Sequence, residues 1–195
     1  MPLLFIITFA LGFLSMGFQL VGTRLLAPYY GSSILIWAVV ISTFLTAFSL
    51  GSVVGGFLSG CSPLVKKRGC FVVIGTVALG LAQTGFLGRW WLGLLENSVP
   101  ALLPGLVLAC LILFLLPVGA LAALPPLTIQ EVSRRGLEPG LASGLVYGIS
   151  TLGNISGVMV TAFFLIPGFP LSTLLSAWML LSTVLSGILV TRLKV

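Results

Sequence analysis

The chain has 195 residues, of which 58% are hydrophobic and only 6% are charged, and its mean hydropathy is +1.27. About a quarter of the residues of a soluble domain are charged, so this composition excludes an ordinary soluble protein. There is no histidine, and Glu96, Glu131 and Glu138 are the only acidic residues. We therefore expect no enzyme activity, no metal site and no cofactor.

Six apolar runs follow one another along the chain. They lie near residues 3–23, 34–59, 70–88, 101–124, 141–166 and 171–191. Each is long enough for a hydrocarbon core of roughly 30 Å. The first run has no basic segment before it, which favours a membrane span over a secretory signal. The sequence predicts an all-α integral membrane protein, with one polytopic domain over residues 1–195 and no soluble domain.

The basic residues give the predicted topology. With six spans, one side of the membrane has two basic residues, Arg24 and Arg89, and the other has Lys66, Lys67, Arg68, Arg134, Arg135, Arg192 and Lys194. Loops rich in lysine and arginine stay in the cytoplasm, so we expect both termini to be cytoplasmic in a multi-pass protein of the inner membrane. The charge of +6 lies at span ends and not on a basic face, which favours membrane lipids over nucleic acid as partners.

Glycines are spaced one helical turn apart in the second and fifth spans. Such spacing is typical of close helix contacts in membranes. The first span also has Gly12, Gly17 and Gly22. The predicted packing residues are Gly51, Gly55, Gly56 and Gly60 in the second span and Gly140, Gly144, Gly148, Gly153 and Gly157 in the fifth.

Short segments at the span ends have their own signals. Arg89, Trp90 and Trp91 predict an interfacial segment, since tryptophan favours the headgroup level. Pro125 and Pro126 are expected to stop the fourth span. Residues 128–135 then form either a solvated connector or an amphipathic turn, in which Glu131 would pair with Arg135 four residues later.

Few polar residues interrupt the spans. Gln19, Gln83, Asn154 and Arg24 are the candidates for polar contacts with a ligand or a neighbouring helix. For Arg24 two alternatives stay open: it reaches the lipid headgroups, or it pairs with Glu96 or a ligand anion. The three cysteines match no familiar ligand spacing and are interpreted as packing residues.

The two glycine-rich spans take corresponding places in the two halves of the chain, which suggests a three-plus-three repeat. This arrangement resembles half of a major facilitator transporter. Residues 56–60, followed by the basic residues 66–68, resemble the loop between the second and third helices of that superfamily. That loop normally has an aspartate, which is absent here.

Three segments resemble a more specific family. They are residues 23–33 (TRLLAPYYGSS), residues 50–56 (LGSVVGG) and residues 147–167, from YGISTLGN to FLIP. Together they are similar to the membrane domain fused to the N-terminal side of spermidine-synthase-like aminopropyltransferases, and the resemblance covers nearly the whole chain. The resemblance implies a six-helix fold and a common ancestry with that membrane domain. In that family a soluble α/β domain performs the chemistry, and its motifs are absent here.

Two functions remain open from the sequence. The favoured one is a non-catalytic membrane subunit that packs with or anchors a partner protein, or that forms a homo-oligomer. The alternative is a half-size, major-facilitator-like transporter of a neutral or anionic small solute, working as a homo- or heterodimer. A polyamine substrate fits poorly, because a polycation needs negative partners and no acid lies inside a predicted span.

Overall fold

The computed structural model describes residues 1–99 and 101–193. The predicted spans are confirmed as six helices that are long and apolar enough to cross a membrane. Apart from turns and short connections, the described residues are helical and form no strand. The helices are α1 (Pro2–Tyr30), α2 (Ile34–Gly60), α3 (Pro63–Ser98), α4 (Leu102–Arg134), α5 (Pro139–Gly168) and α6 (Leu171–Arg192).

Helices α3 and α4 extend beyond the predicted apolar runs. Helix α3 begins at Pro63, because a proline in the first turn costs no backbone hydrogen bond. It continues through the tryptophan segment to Ser98. Helix α4 breaks at Ala123 and resumes as Leu124–Arg134. The two prolines lie in the first turn of this resumed piece, so the break is where they predict it but the chain remains helical beyond it.

The helix contacts follow a regular pattern. Helix α1 packs against α5 and α6, whereas α4 packs against α2 and α3, and α3 also contacts α6. Exchanging α1 with α4, α2 with α5 and α3 with α6 converts the α1 contacts into the α4 contacts and leaves the α3–α6 contact unchanged. This is the pattern expected of the three-plus-three repeat that the glycine positions suggest.

An aromatic cluster fills the core between α1, α2 and α4. The ring centroids of Phe18 and Phe114 are 5.7 Å apart, and those of Phe44 and Phe114 are 5.6 Å apart. All three side chains are buried. Gly22 makes room for the Phe114 ring, since a Cβ at this glycine would lie 2.8 Å from it. The cluster fixes the spacing of the three helices.

Within residues 1–99 and 101–193, three π-helical turns interrupt the spans, at Gln83–Leu87 in α3, Leu111–Leu115 in α4 and Thr161–Leu165 in α5. A π turn disturbs the regular backbone ladder and lets a side chain bond to a helix carbonyl. The buried Thr84 hydroxyl donates to the Leu113 carbonyl at 2.8 Å, so the first two π turns are joined to each other. This bond holds α3 against α4.

Candidate functional site

A cavity of about 200 Å³ lies between the two repeat-related halves of the bundle. Helices α1, α2, α4 and α5 supply most of its wall, and α6 contributes Leu189. The repeat exchanges these four helices in two pairs, α1 with α4 and α2 with α5, so the cavity lies where the halves meet. Its polar lining consists of Thr8, Ser15, Ser52, Thr128, Tyr147, Ser150, Thr151 and Asn154.

The chemistry of this cavity is neutral. None of the described residues that line it carries a charge. Several hydroxyls are already bonded to their own helix, as when Thr8 donates to the Leu4 carbonyl and Thr151 to the Tyr147 carbonyl. The side chain of Asn154 has no hydrogen-bond partner in the described part of the chain. A neutral molecule with a few hydrogen-bonding groups is the ligand that such a wall would accommodate.

Asn154 is the one predicted polar contact that lies in the cavity. It is half-buried on α5, opposite Gly12 of α1. A Cβ at Gly12 would lie 3.2 Å from the Asn154 side-chain oxygen and would also overlap the Ser150 carbonyl. The glycine therefore lets α5 approach α1 closely enough for the amide to line the cavity.

The other three predicted polar contacts lie elsewhere. Gln19 is half-buried on α1, Gln83 begins the first π turn, and neither lines the cavity. The Nη1 group of Arg24 donates to the Ile166 carbonyl at 2.5 Å, at the end of α5. A cation at a helix C-terminus is favourable because it meets the unbonded carbonyls and the negative end of the helix dipole. The Arg24 contact is thus with a helix end and not with Glu96.

Four of the predicted packing glycines lie at close helix contacts. A Cβ at Gly51 or Gly55 of α2 would overlap the backbone carbonyl of Gly119 or Ala123 in α4. On α5, a Cβ at Gly153 would overlap the Phe9 carbonyl of α1, and the same holds for Gly157 and Phe13. These two contacts are equivalent under the repeat.

The other five packing glycines have open space beside them. A Cβ would have no described atom within 4 Å at Gly56, Gly60, Gly140, Gly144 or Gly148. The last three share the first part of α5. All five glycines are exposed.

The basic residues do not all point to water. Lys66, Lys67 and Arg68 lie in the first turns of α3 and not in a loop, and Lys66 is only 1% exposed. Its amine donates to the Gln130 side-chain oxygen, and the Gln130 amide donates in turn to the Ser59 carbonyl. Lys66 therefore ties α3 to α4 and α2 in addition to any part in topology.

The second basic pair is also built into the fold. Glu131 is 1% exposed and accepts a 2.8 Å bond from Arg135, the pair that the four-residue spacing predicts. Arg135 also donates to the Arg192 carbonyl at 2.9 Å, which holds the end of α6. Arg134 is the last residue of α4. Because Glu131 is buried, the solvated-connector interpretation of this segment is wrong. We call this end of the bundle, with residues 59–68, 130–135 and 192, the basic end.

Most of the cavity wall was missed by reasoning from the sequence. Tyr147, Ser150, Thr151 and Asn154 recur every three or four residues, so they share one face of α5. That spacing is a signal that could have identified the wall. No three His, Cys, Asp or Glu residues come together as a possible metal site in the described residues. Cys70 and Cys110 are buried, free thiols, and Cys61 is free and exposed.

No protein-family model matches this chain, and neither the curated proteins nor the solved structures include a match.

Proposed function

We propose that the chain is a non-catalytic membrane subunit that binds a helix of a partner protein against the start of α5. The observation that carries this proposal is the open space at Gly140, Gly144 and Gly148. Farther along the same helix, Gly153 and Gly157 pack against the α1 backbone. The proposal includes the lineage implied by the resemblance to the membrane domain of spermidine-synthase-like proteins, with the basic end facing the cytoplasm.

The physical argument rests on how helices associate in lipid. Apolar side chains gain little by leaving lipid, so association depends on close backbone approach and on hydrogen bonds. Three glycines at four-residue spacing leave a shallow face that suits such an approach. Leucines would fill this face if it met only lipid, and they would not weaken the helix as glycine does. A partner helix supplies the contacts that the face lacks. A second copy of the chain could occupy it through a two-fold interface, in which this face meets itself, or head-to-tail, in which another face of the copy meets it.

Purification of the whole chain from its native membrane in mild detergent tests this function. Mass spectrometry of the preparation should identify a stoichiometric protein partner. The double variant Gly144→Leu/Gly148→Leu should lose this partner and keep its own fold. Gly187→Leu is the matched control, because Gly187 is a helical glycine on α6 that also has no described atom within 4 Å of a Cβ position.

Two outcomes would contradict the proposal. One is a wild-type chain that stays a lone monomer when cross-linked in its native membrane. The other is equal recovery of the partner with the double variant and with the Gly187→Leu control.

A second function, a half-size transporter of a neutral small solute, is favoured by the cavity. The uncharged lining and the Asn154 amide, which has no partner among the described residues, suit a neutral solute better than an anion. Reconstituted chain should take up radiolabelled glycerol or xylitol with saturation, and Asn154→Leu should reduce this uptake. Uptake equal to that of protein-free liposomes would remove this candidate.

A further inference from the structure

We propose that a groove between α2, α3 and α4 binds an acyl chain of an anionic phospholipid, whose phosphate pairs with Arg68. The groove has a volume of about 270 Å³. This site lies on different helices from the open glycines of α5 and does not depend on the proposed partner.

The lining of the groove suits hydrocarbon. It is apolar except for Thr76, and includes Leu50 and Val54 of α2, Val72 and Val73 of α3, and Leu116 of α4. The Thr76 hydroxyl donates to the Val72 carbonyl at 2.8 Å, so it has no hydrogen left for a ligand. Leu50, Val54 and Val72 are each at least half exposed, so the groove is open at the side of the bundle. A polar molecule would lose its hydrogen bonds there, whereas an acyl chain loses nothing.

Arg68 is placed to select the headgroup. It lies four residues before Val72, which puts it on the same face of α3 and about 6 Å nearer the basic end. The Arg68 side chain is exposed and makes no hydrogen bond or ion pair with the described residues. A guanidinium binds phosphate oxygens in a forked geometry, and the acyl chains of a phospholipid begin just below its phosphate.

The neighbouring cations serve as internal comparisons. Lys66 is buried and bonded to Gln130. Lys67 is exposed like Arg68, but it lies about 140° around the helix from Val72. Of these three cations, Arg68 is therefore the one placed to pair with the phosphate, and Lys67 shows what an exposed cation does without a groove beside it.

Native mass spectrometry of the whole chain, with dioleoyl phosphatidylglycerol or dioleoyl phosphatidylcholine added, tests the site. The wild-type chain should retain phosphatidylglycerol preferentially. Arg68→Gln should lower this retention about fivefold, and Lys67→Gln should leave it within twofold. Val72→Trp should reduce retention of both lipids, because the indole fills the groove. Equal losses from the two glutamine variants, or unchanged retention with Val72→Trp, would overturn the proposal.

A second measurement needs no variant. Phosphatidylglycerol with a photoreactive group in its acyl chain, added to the wild-type chain in liposomes, should label residues 72–76 of α3, 50–54 of α2 or 115–123 of α4. Labelling confined to α1, α5 and α6 would overturn the proposal.

Discussion

The two ends of α5 differ in what their glycines contact. Gly153 and Gly157 lie against the α1 backbone, whereas Gly140, Gly144 and Gly148 have no described neighbour. Both sets have four-residue spacing. Five residues separate Gly148 from Gly153, and this step turns the second set about 140° around the helix. Four-residue glycine spacing creates a helix face that another helix can approach closely. The direction in which this face points decides whether another helix of the chain or another molecule packs against it.

Helix α2 shows the same difference between adjacent residues. Gly55 packs on the Ala123 backbone, while Gly56, turned by 100°, has open space. Near the basic end of the bundle, α2 and α5 thus each have glycines with no described atom beside them. We expect substitutions of the contact glycines to destabilise the fold and substitutions of the open glycines to leave its stability unchanged.

The largest effect is expected at the α1–α5 contact. Gly157→Leu should destabilise the chain by about 3 kcal/mol, because its side chain has to displace the Phe13 backbone. Gly148→Leu, on the same helix, should leave stability almost unchanged. Unfolding in mixed detergent micelles, followed by circular dichroism, measures both. Equal losses from the two variants would contradict the distinction between the two glycine sets.

A smaller substitution makes the same comparison on α2. Gly55→Ala should cost about 1–3 kcal/mol, because the new methyl group would overlap the Ala123 carbonyl. Gly56→Ala should be neutral or slightly stabilising, since alanine has the higher helix propensity. The midpoint of thermal unfolding in detergent separates the two variants. A more stable Gly55→Ala chain would show that α2 and α4 are less tightly packed than their backbones indicate.

The sequence predicts the number and order of the spans well. Length and hydropathy suffice for that, because each span has to cover the same hydrocarbon thickness. The span ends are predicted less well. The basic turn at the start of α3 and the amphipathic piece at the end of α4 have polar residues. Hydropathy therefore begins the third span after its helix has begun and ends the fourth span before its helix ends. Proline is the one local signal there, and it can begin a helix as easily as it stops one.

The candidate site is predicted less completely than the fold. Glycine spacing predicts that a helix has a contact face but not which way that face points. It therefore predicts a helix contact at both Gly55 and Gly56, although only Gly55 has a described atom beside it. A lysine near a span end indicates topology, and nothing in the sequence reveals that Lys66 is buried beside Gln130, 64 residues away. The cavity depends on how four helices are rotated. Only the recurring polar residues of α5, from Tyr147 to Asn154, indicate one wall of it.

Side-chain hydrogen bonds differ in whether they cross a helix contact. On α5, Thr151 and Ser156 bond to carbonyls of their own helix. In contrast, the buried Trp178 of α6 donates from Nε1 to the Leu14 carbonyl of α1 at 2.9 Å. Trp178→Phe should cost about 1–2 kcal/mol through the lost bond and the smaller ring. The same micelle unfolding measures this loss, and no loss would mean that the bond adds nothing to the α1–α6 contact.

The smallest effect is expected at the joined π turns. Thr84→Val keeps the volume of the side chain and removes its bonds to the Gly80 and Leu113 carbonyls. The expected cost is about 0.6 kcal/mol, because bonds between membrane helices are individually weak. Thr76→Val is the matched control on α3, since the Thr76 hydroxyl bonds only to its own helix. If both variants lose the same stability, the bond to Leu113 contributes nothing beyond a bond within α3. A larger loss for Thr84→Val shows that the bond between the two π turns stabilises the α3–α4 contact.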